Sequence, residues 1–130
     1  MPAGNAHRIL SILYDAFTAG IGPGILADPG DAGTIRPTMN FQVCEMVSGA
    51  SGETRTLASP NRVGIRFILR LLTDGGGNVV VTAAAGLNVA DNNVVTFGDA
   101  SDALSLVSVT KSAGVYRWEI VEDLNTALSS

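Results

Sequence analysis

The last two thirds of this 130-residue chain repeat one unit, a short run of strand-forming residues followed by a turn signal. The turn signals are rich in glycine, serine, proline, asparagine and aspartate, which favour turns and interrupt strands. Short strands spaced about ten residues apart are typical of antiparallel sandwiches and barrels. The sequence therefore predicts an all-β fold, an antiparallel β-sandwich or barrel of jelly-roll type. Its seven predicted strands are Phe41–Val47, Glu53–Ala58, Val63–Leu72, Val79–Ala83, Val94–Phe97, Ala103–Thr110 and Val115–Val121.

The alternation of side chains predicts which strand faces are buried. In the last strand, Tyr116 and Trp118 alternate with charged residues, which predicts that both aromatic side chains face the core. Valines at 79–81 and 94–95 occupy both faces of their strands, which predicts cover on both sides by a second sheet or another chain. The glycines of Asp74–Gly77 predict a hairpin turn, because glycine readily adopts the positive φ that such turns require.

Residues 1–40 are predicted to form an N-terminal arm and connector, separate from a β-domain at 41–130. Gly20–Pro37 holds five glycines and three prolines, which favours an extended segment over a helix or a central strand. Before it, apolar residues at helical spacing predict one short amphipathic helix. Such a helix either docks in a groove of a partner or packs on its own domain. The candidate contact residues on it are Ile9, Ile12, Leu13 and Phe17.

Three arginines are spaced so that they share one face of a predicted strand. Arg62, Arg66 and Arg70 also fit a helical stripe, but Gly64 and the glycine-rich turn that follows favour a strand. Two interpretations remain open for this face. It is either a solvated outer surface or a surface that pairs with acidic groups of a neighbouring subunit or partner.

The amino-acid composition argues against some classes of binding partner. The chain is 46% apolar and 15% charged, with a formal net charge of −4. Nucleic-acid binding requires clustered lysine and arginine, so no nucleic-acid partner is predicted. No apolar run approaches the ~20 residues of a membrane span, and no secretory signal is recognisable. The expectation is a protein made in the cytoplasm that does not bind a membrane.

Residues suited to catalysis are scarce. His7 is the chain's single histidine and Cys44 its single cysteine, which argues against a Ser-His-Asp site, a histidine-rich metal site and an internal disulfide. Cys44 is predicted to be a half-buried strand residue, with an intermolecular disulfide as the alternative. The loop aspartates are suited to turns and caps, with a structural calcium as the alternative. No enzymatic activity, cofactor or catalytic residue is predicted.

A series of segments resembles small head decoration proteins of tailed bacteriophages, which are also called cement or capsid-stabilising proteins. The similarity runs in order from about Gly30 to Ser129. The segments that carry it are GDAGTIRP, ETRTLASP, TDGGGNVVVTAAAGLN, VTFGDASDALSLVSV and YRWEI.

This resemblance implies a non-enzymatic structural protein of the virion. Such proteins assemble, often as homotrimers, on the exterior of the capsid and bridge neighbouring major capsid subunits. The alternative function is a receptor- or glycan-binding β-module of a phage tail fibre or spike. That alternative predicts clustered exposed aromatic residues for sugar stacking, whereas Tyr116 and Trp118 are predicted to face inward.

Overall fold

The computed structural model describes residues 24–88 and 92–130, and every regular element in these ranges is a β-strand, as the sequence predicted. No helix in this part of the chain is long and apolar enough to cross a membrane. The strands are β1 (Gly24–Leu26), β2 (Gly33–Ile35), β3 (Phe41–Val47), β4 (Glu53–Leu57), β5 (Arg66–Thr73), β6 (Val79–Thr82), β7 (Val94–Phe97), β8 (Ala103–Ser112), β9 (Val115–Leu124) and β10 (Ala127–Ser129).

These strands form two five-stranded sheets. The front sheet has the order β1-β3-β5-β8-β9, and the back sheet has the order β10-β7-β6-β4-β2. Neither sheet closes on itself, so the barrel alternative is wrong for the described residues. Three of the four edge strands, β1, β2 and β10, have only three residues each. Such short edges present few unpaired backbone groups for closure or for pairing with another chain.

The first six strands alternate between the sheets and form three strand–arch–strand units, β1 with β2, β3 with β4, and β5 with β6. Successive units stack in the same orientation, so β1, β3 and β5 are parallel in the front sheet. In the back sheet β2, β4 and β6 are also parallel. The pairs that involve β7, β8, β9 and β10 are antiparallel. Both sheets are mixed, and the predicted antiparallel, jelly-roll-like arrangement is therefore wrong.

The antiparallel arrangement was predicted wrongly because of how the turns were interpreted. Asp74–Gly77 was predicted to close a hairpin, but it carries the chain from β5 in the front sheet to β6 in the back sheet. A local turn signal does not distinguish the two connections, because both need flexible backbone and neither encodes which strand becomes the neighbour. The predicted connector Gly20–Pro37 also contains β1 and β2. Both are edge strands, where glycine and proline are tolerated.

Buried residues of both sheets share one hydrophobic cluster. It includes Phe67 and Leu69 of the front sheet together with Val81 and Phe97 of the back sheet. Cys44 is a free cysteine on β3, a strand position as predicted, but it is fully buried rather than half-buried, and burial raises the pKa of its thiol to about 12. Its thiol is therefore a packing group rather than a nucleophile.

The arches between β3 and β4 and between β5 and β6 lie against each other. Gly77 N–H donates to Gly49 O over 3.0 Å, and Gly75 N–H donates to Ser48 Oγ over 3.1 Å. A Cβ added at Gly77 would collide with the Ser51 carbonyl, which belongs to the backbone of the neighbouring arch. Glycine is therefore required here for close approach, since Gly77 is not in the left-handed region.

Replacing Gly77 with alanine is expected to lower the free energy of unfolding by about 1–3 kcal/mol, because the new methyl group forces the stacked arches apart. Chemical denaturation measures this change. The matched control is Gly52→Ala, where a Cβ would come no closer than 3.9 Å to Asn78 O. Equal effects at the two positions would contradict the close packing of the arches.

A buried arginine fixes the first arch to the rest of the fold. Arg55 lies on β4, and its side chain has no exposed surface. Its Nε and Nη2 donate to Asp28 over 2.6 Å and 2.9 Å, and its Nη1 lies 3.0 Å from Glu53. Burial alone would raise the pKa of the Asp28 carboxyl. The hydrogen bonds from Arg55, Val47 N–H and Gly30 N–H outweigh burial and hold that pKa below its ordinary value.

Candidate interaction surfaces

The outer face of the front sheet, called the front face below, has an apolar centre. Ile25, Val43 and Ile68 are direct cross-strand neighbours on β1, β3 and β5. Val43 and Ile68 form a second buried cluster with Ala103, against which Phe41 and Leu124 pack. The sheet is therefore apolar on both sides, although only one side faces the core.

Several large apolar side chains remain exposed on and around this face. Ile25 is 70% exposed at the edge of the sheet, and Val121 is 45% exposed on β9. Val47 and Leu72 are 49% and 44% exposed near the ends of β3 and β5. The outer face of the back sheet, called the back face below, differs because its exposed positions include Thr34, Thr54, Thr56 and Thr82. Charged residues also lie on the front face, including Glu45, Arg66 and Glu119. The front face therefore combines exposed apolar side chains with charged ones, whereas the back face is mainly threonine and valine.

Two of the three predicted arginines lie on the front face. Arg66 begins β5 and is exposed, and no described carboxylate pairs with it. Arg70 lies four residues further along β5, where its Nη1 is 2.6 Å from Glu45 Oε2 on β3. Its Nη2 also donates to Ser101 Oγ over 3.2 Å. Arg70 is thus already paired within its own chain, whereas Arg66 is available to a partner.

Arg62 does not share that face, because β5 begins only at Arg66. It lies in the connection between β4 and β5, where it donates to Asn40 Oδ1 over 2.7 Å and to Asn61 Oδ1 over 2.9 Å. The face prediction failed because Gly64, at φ +86°, interrupts the alternation between Arg62 and Arg66.

Arg62 lines a cleft of about 320 Å³ between the connections that precede β3 and β5. Arg36 lies on the other connection and is exposed. Trp118 closes the cleft from the core side, where its Nε1 donates to Ala58 O over 2.9 Å. The cleft therefore combines two cations with walls that are partly apolar and partly polar. Arg36 was missed in the sequence because nothing local links it to Arg62.

The candidate contact residues of the predicted helix lie outside the described residues, so their role stays a prediction. These residues are Ile9, Ile12, Leu13 and Phe17.

Two of the loop aspartates, Asp74 and Asp102, act as turn and cap acceptors. Asp102 accepts hydrogen bonds from Gly98 N–H, Asp99 N–H and Asn125 Nδ2 over 2.9–3.0 Å. Asp74 accepts from Gly76 N–H over 2.8 Å. Within 24–88 and 92–130, no three histidine, cysteine, aspartate or glutamate side chains gather where they could hold a metal ion.

The ion pair between Arg55 and Asp28 was not predicted from the sequence, where Asp28 was considered only as one of the loop aspartates. One signal was present, since period-2 alternation places Arg55 on the same face of β4 as the buried Leu57. The partner, Asp28, lies 27 residues away in the chain, and no local pattern predicts that pairing.

Comparison with known proteins assigns this chain to no family. No protein-family model matches it, and no curated protein is significantly similar to it. The function is therefore inferred from the sequence resemblance and from the surfaces described above.

Proposed function

We propose that this protein is a structural component of a bacteriophage virion that decorates the exterior of the capsid and stabilises it. It bridges neighbouring major capsid subunits, assembles as a homotrimer and has no enzymatic activity. The observation that carries the proposal is the front face, where exposed apolar residues surround a buried apolar cluster outside the main core. Exposed apolar side chains grouped on one face support an interaction site there.

The mechanism is stabilisation by linked binding. A protein that binds only the assembled shell favours assembly by an amount that grows with its concentration relative to its dissociation constant. Bridging two capsid subunits provides this selectivity, because separated subunits offer only part of the contact surface. Reactive side chains are unnecessary for such a role, which fits the buried, unreactive Cys44 and the turn roles of the loop aspartates.

The two sheets are inferred to pack as a β-sandwich. The shared cluster supports this arrangement, since it includes buried residues of β3, β5 and β8 from the front sheet and of β4, β6 and β7 from the back sheet. A sandwich would leave the front face and the back face as its two broad outer surfaces. Of these, the front face carries the exposed Ile25 and Val121 beside its apolar cluster, so it is the surface proposed to contact the capsid.

The glycan-binding alternative has less support. Sugar stacking requires exposed aromatic rings, and Trp118 is only 1% exposed. Tyr116 is half-buried on the same strand. These two residues therefore do not form an open stacking platform.

The test uses empty shells assembled from the major capsid protein of the virus that encodes this chain. Wild-type protein is expected to bind them at regular symmetry sites, visible by electron microscopy. Ile25→Asp is expected to weaken binding about tenfold or more, because it places a charge in the apolar contact. The matched control Thr56→Asp, on the back face, should bind as wild type does.

Deleting residues 1–19 is a second arm of this test and addresses the predicted helix. The truncated protein is expected to retain its circular dichroism spectrum and to occupy fewer shell sites. Shells that never bind the wild-type protein would refute the capsid role. Wild-type binding by Ile25→Asp would instead move the contact away from the front face.

A further inference from the structure

The strand directions determine at which end of the molecule each connection lies, together with the charged residues in it. The arches 27–32, 48–52 and 74–78 lie at one end of the molecule, because the strands that enter them are parallel. The connection 98–102 lies at the same end, since β7 is antiparallel to β6. This end is called the arch end. The connections 36–40, 58–65 and 113–114 lie at the opposite end.

Acidic residues concentrate in the half of the molecule that includes the arch end. Nine described carboxylates and two arginines lie there, a formal charge of −7. The carboxylates are Asp28, Asp31, Glu45, Glu53, Asp74, Asp99, Asp102, Glu122 and Asp123. The other half has five cations and one carboxylate, Glu119, a formal charge of +4. Its cations are Arg36, Arg62, Arg66, Lys111 and Arg117.

Some exposed charged residues at each end form no ion pair within the described residues. Asp31, Asp74 and Asp99 are exposed at the arch end, and no described cation forms an ion pair with them. At the opposite end, Arg36 and Arg62 are exposed on the two sides of the cleft and have no described carboxylate partner. Each end thus carries the charge that the other end lacks.

We propose that the arch end of one copy binds the opposite end of a second copy, with exposed aspartates facing Arg36 and Arg62. The occupant of the cleft is then this chain itself. The acidic surface that complements the cleft is present on the same molecule, whereas two like ends repel each other. The contact deepens the self-association part of the proposed function and leaves the front face open.

A contact between two different ends is heterologous. Repetition of such a contact closes into a ring if the rotation between copies allows it, and otherwise extends as a filament. The charges steer and orient the copies more than they add affinity, so the contact is expected to be sensitive to salt. The apolar walls of the cleft, which include Pro37, Pro60 and Ile65, supply the area that can be buried.

The first measurement is the molar mass of the full chain by light scattering, without any capsid protein present. Ionic strengths of about 0.01 M and about 1 M correspond to Debye lengths of about 30 Å and about 3 Å. The mass is expected to exceed the monomer value of 13.4 kDa at low ionic strength and to fall towards it at high ionic strength. A monomer in both conditions, or a mass independent of salt, would overturn the proposal.

Matched variants then locate the contact. Arg62→Gln is expected to lower the association constant by up to about fivefold, the upper limit for one exposed ion pair. Arg70→Gln makes the same change in net charge on the arch-end half and should not weaken association. If both variants lowered the association constant equally, the effect would depend only on net charge, and the proposal would be wrong.

Charge reversal gives the decisive result. Arg36→Glu/Arg62→Glu makes both cleft arginine positions acidic and changes the formal charge of that half from +4 to 0. Asp74→Lys/Asp99→Lys makes two of the three exposed aspartate positions at the arch end basic and changes the formal charge of that half from −7 to −3. Each double variant is expected to be monomeric alone, and an equimolar mixture of the two should associate. A mixture that stays monomeric, when both variants retain the wild-type circular dichroism spectrum, would refute an end-to-end contact. Because no shell is present, this experiment tests the contact between copies independently of the capsid role.

Discussion

Replacing Trp118 with alanine is expected to lower the free energy of unfolding by about 3–5 kcal/mol, the range for removing a buried large aromatic side chain. The indole is 1% exposed, and its ring centroid lies 5.9 Å from that of Phe67. Its Nε1 donates to Ala58 O, so the substitution both leaves a cavity and removes a hydrogen bond that links β9 to the chain after β4. Chemical denaturation followed by circular dichroism measures the loss.

The control for this variant is Val121→Ala on the same strand, where the side chain is 45% exposed. Its effect should stay within about 0.5 kcal/mol, as for most surface substitutions. A loss below about 1 kcal/mol for Trp118→Ala would contradict the placement of the indole in the core.

Replacing Arg55 with methionine is expected to cost about 3–5 kcal/mol, because removing one partner leaves the mostly buried Asp28 carboxylate without its cation. Asp28→Asn in the same chain should recover part of this loss, since it removes the uncompensated charge. The control is Arg70→Met, in which the broken pair with Glu45 is about one-third exposed and contributes no more than about 1 kcal/mol.

The pH dependence of stability distinguishes this electrostatic effect from a simple loss of packing. The folded-state pKa of Asp28 is held below its ordinary value of 3.8, so the pair contributes fully above that value. The contribution is lost as the pH falls through the lower folded-state pKa. The difference in stability between wild type and Arg55→Met should therefore shrink below about pH 3.8. A difference that is constant with pH would assign the loss to packing alone.

The two proposed contacts use different parts of the molecule. The capsid contact uses the front face around Ile25 and Val121, whereas the contact between copies uses the arch end and the cleft. A set of copies joined end to end would therefore present several front faces together. Such an array would gain avidity for a repeating surface, because later contacts form at a high effective concentration.

Sequence reasoning succeeded for local features. The alternation in Val115–Val121 correctly placed Trp118 in the core, and the predicted strand Phe41–Val47 matches β3 at both ends. Six of the other strands lie at or within three residues of their predicted bounds. These features depend on side-chain periodicity and on turn residues. Both involve residues within a few positions of each other, so they can be recognised in the sequence alone.

Fewer features of the candidate interaction surfaces could be predicted from the sequence. Arg66 and Arg70 were placed correctly on one face of β5, whereas Arg62 was not. The partners of these arginines, Glu45 and Asn40, come from β3 and from the connection before it. Their positions depend on which strand lies beside β5, and that information is absent from the strand itself.

The sequence by itself determined that the described residues are all-β, where most strands lie and that Trp118 faces the core. Only the tertiary structure decided that the first six strands cross between two sheets as stacked arches, that Arg55 pairs with Asp28, and that the charges separate to two ends. The physical reason is the distance along the chain over which each kind of interaction acts. Hydrophobic alternation and turn chemistry act between near neighbours, whereas strand order, buried ion pairs and the direction of each connection depend on contacts between residues tens of positions apart.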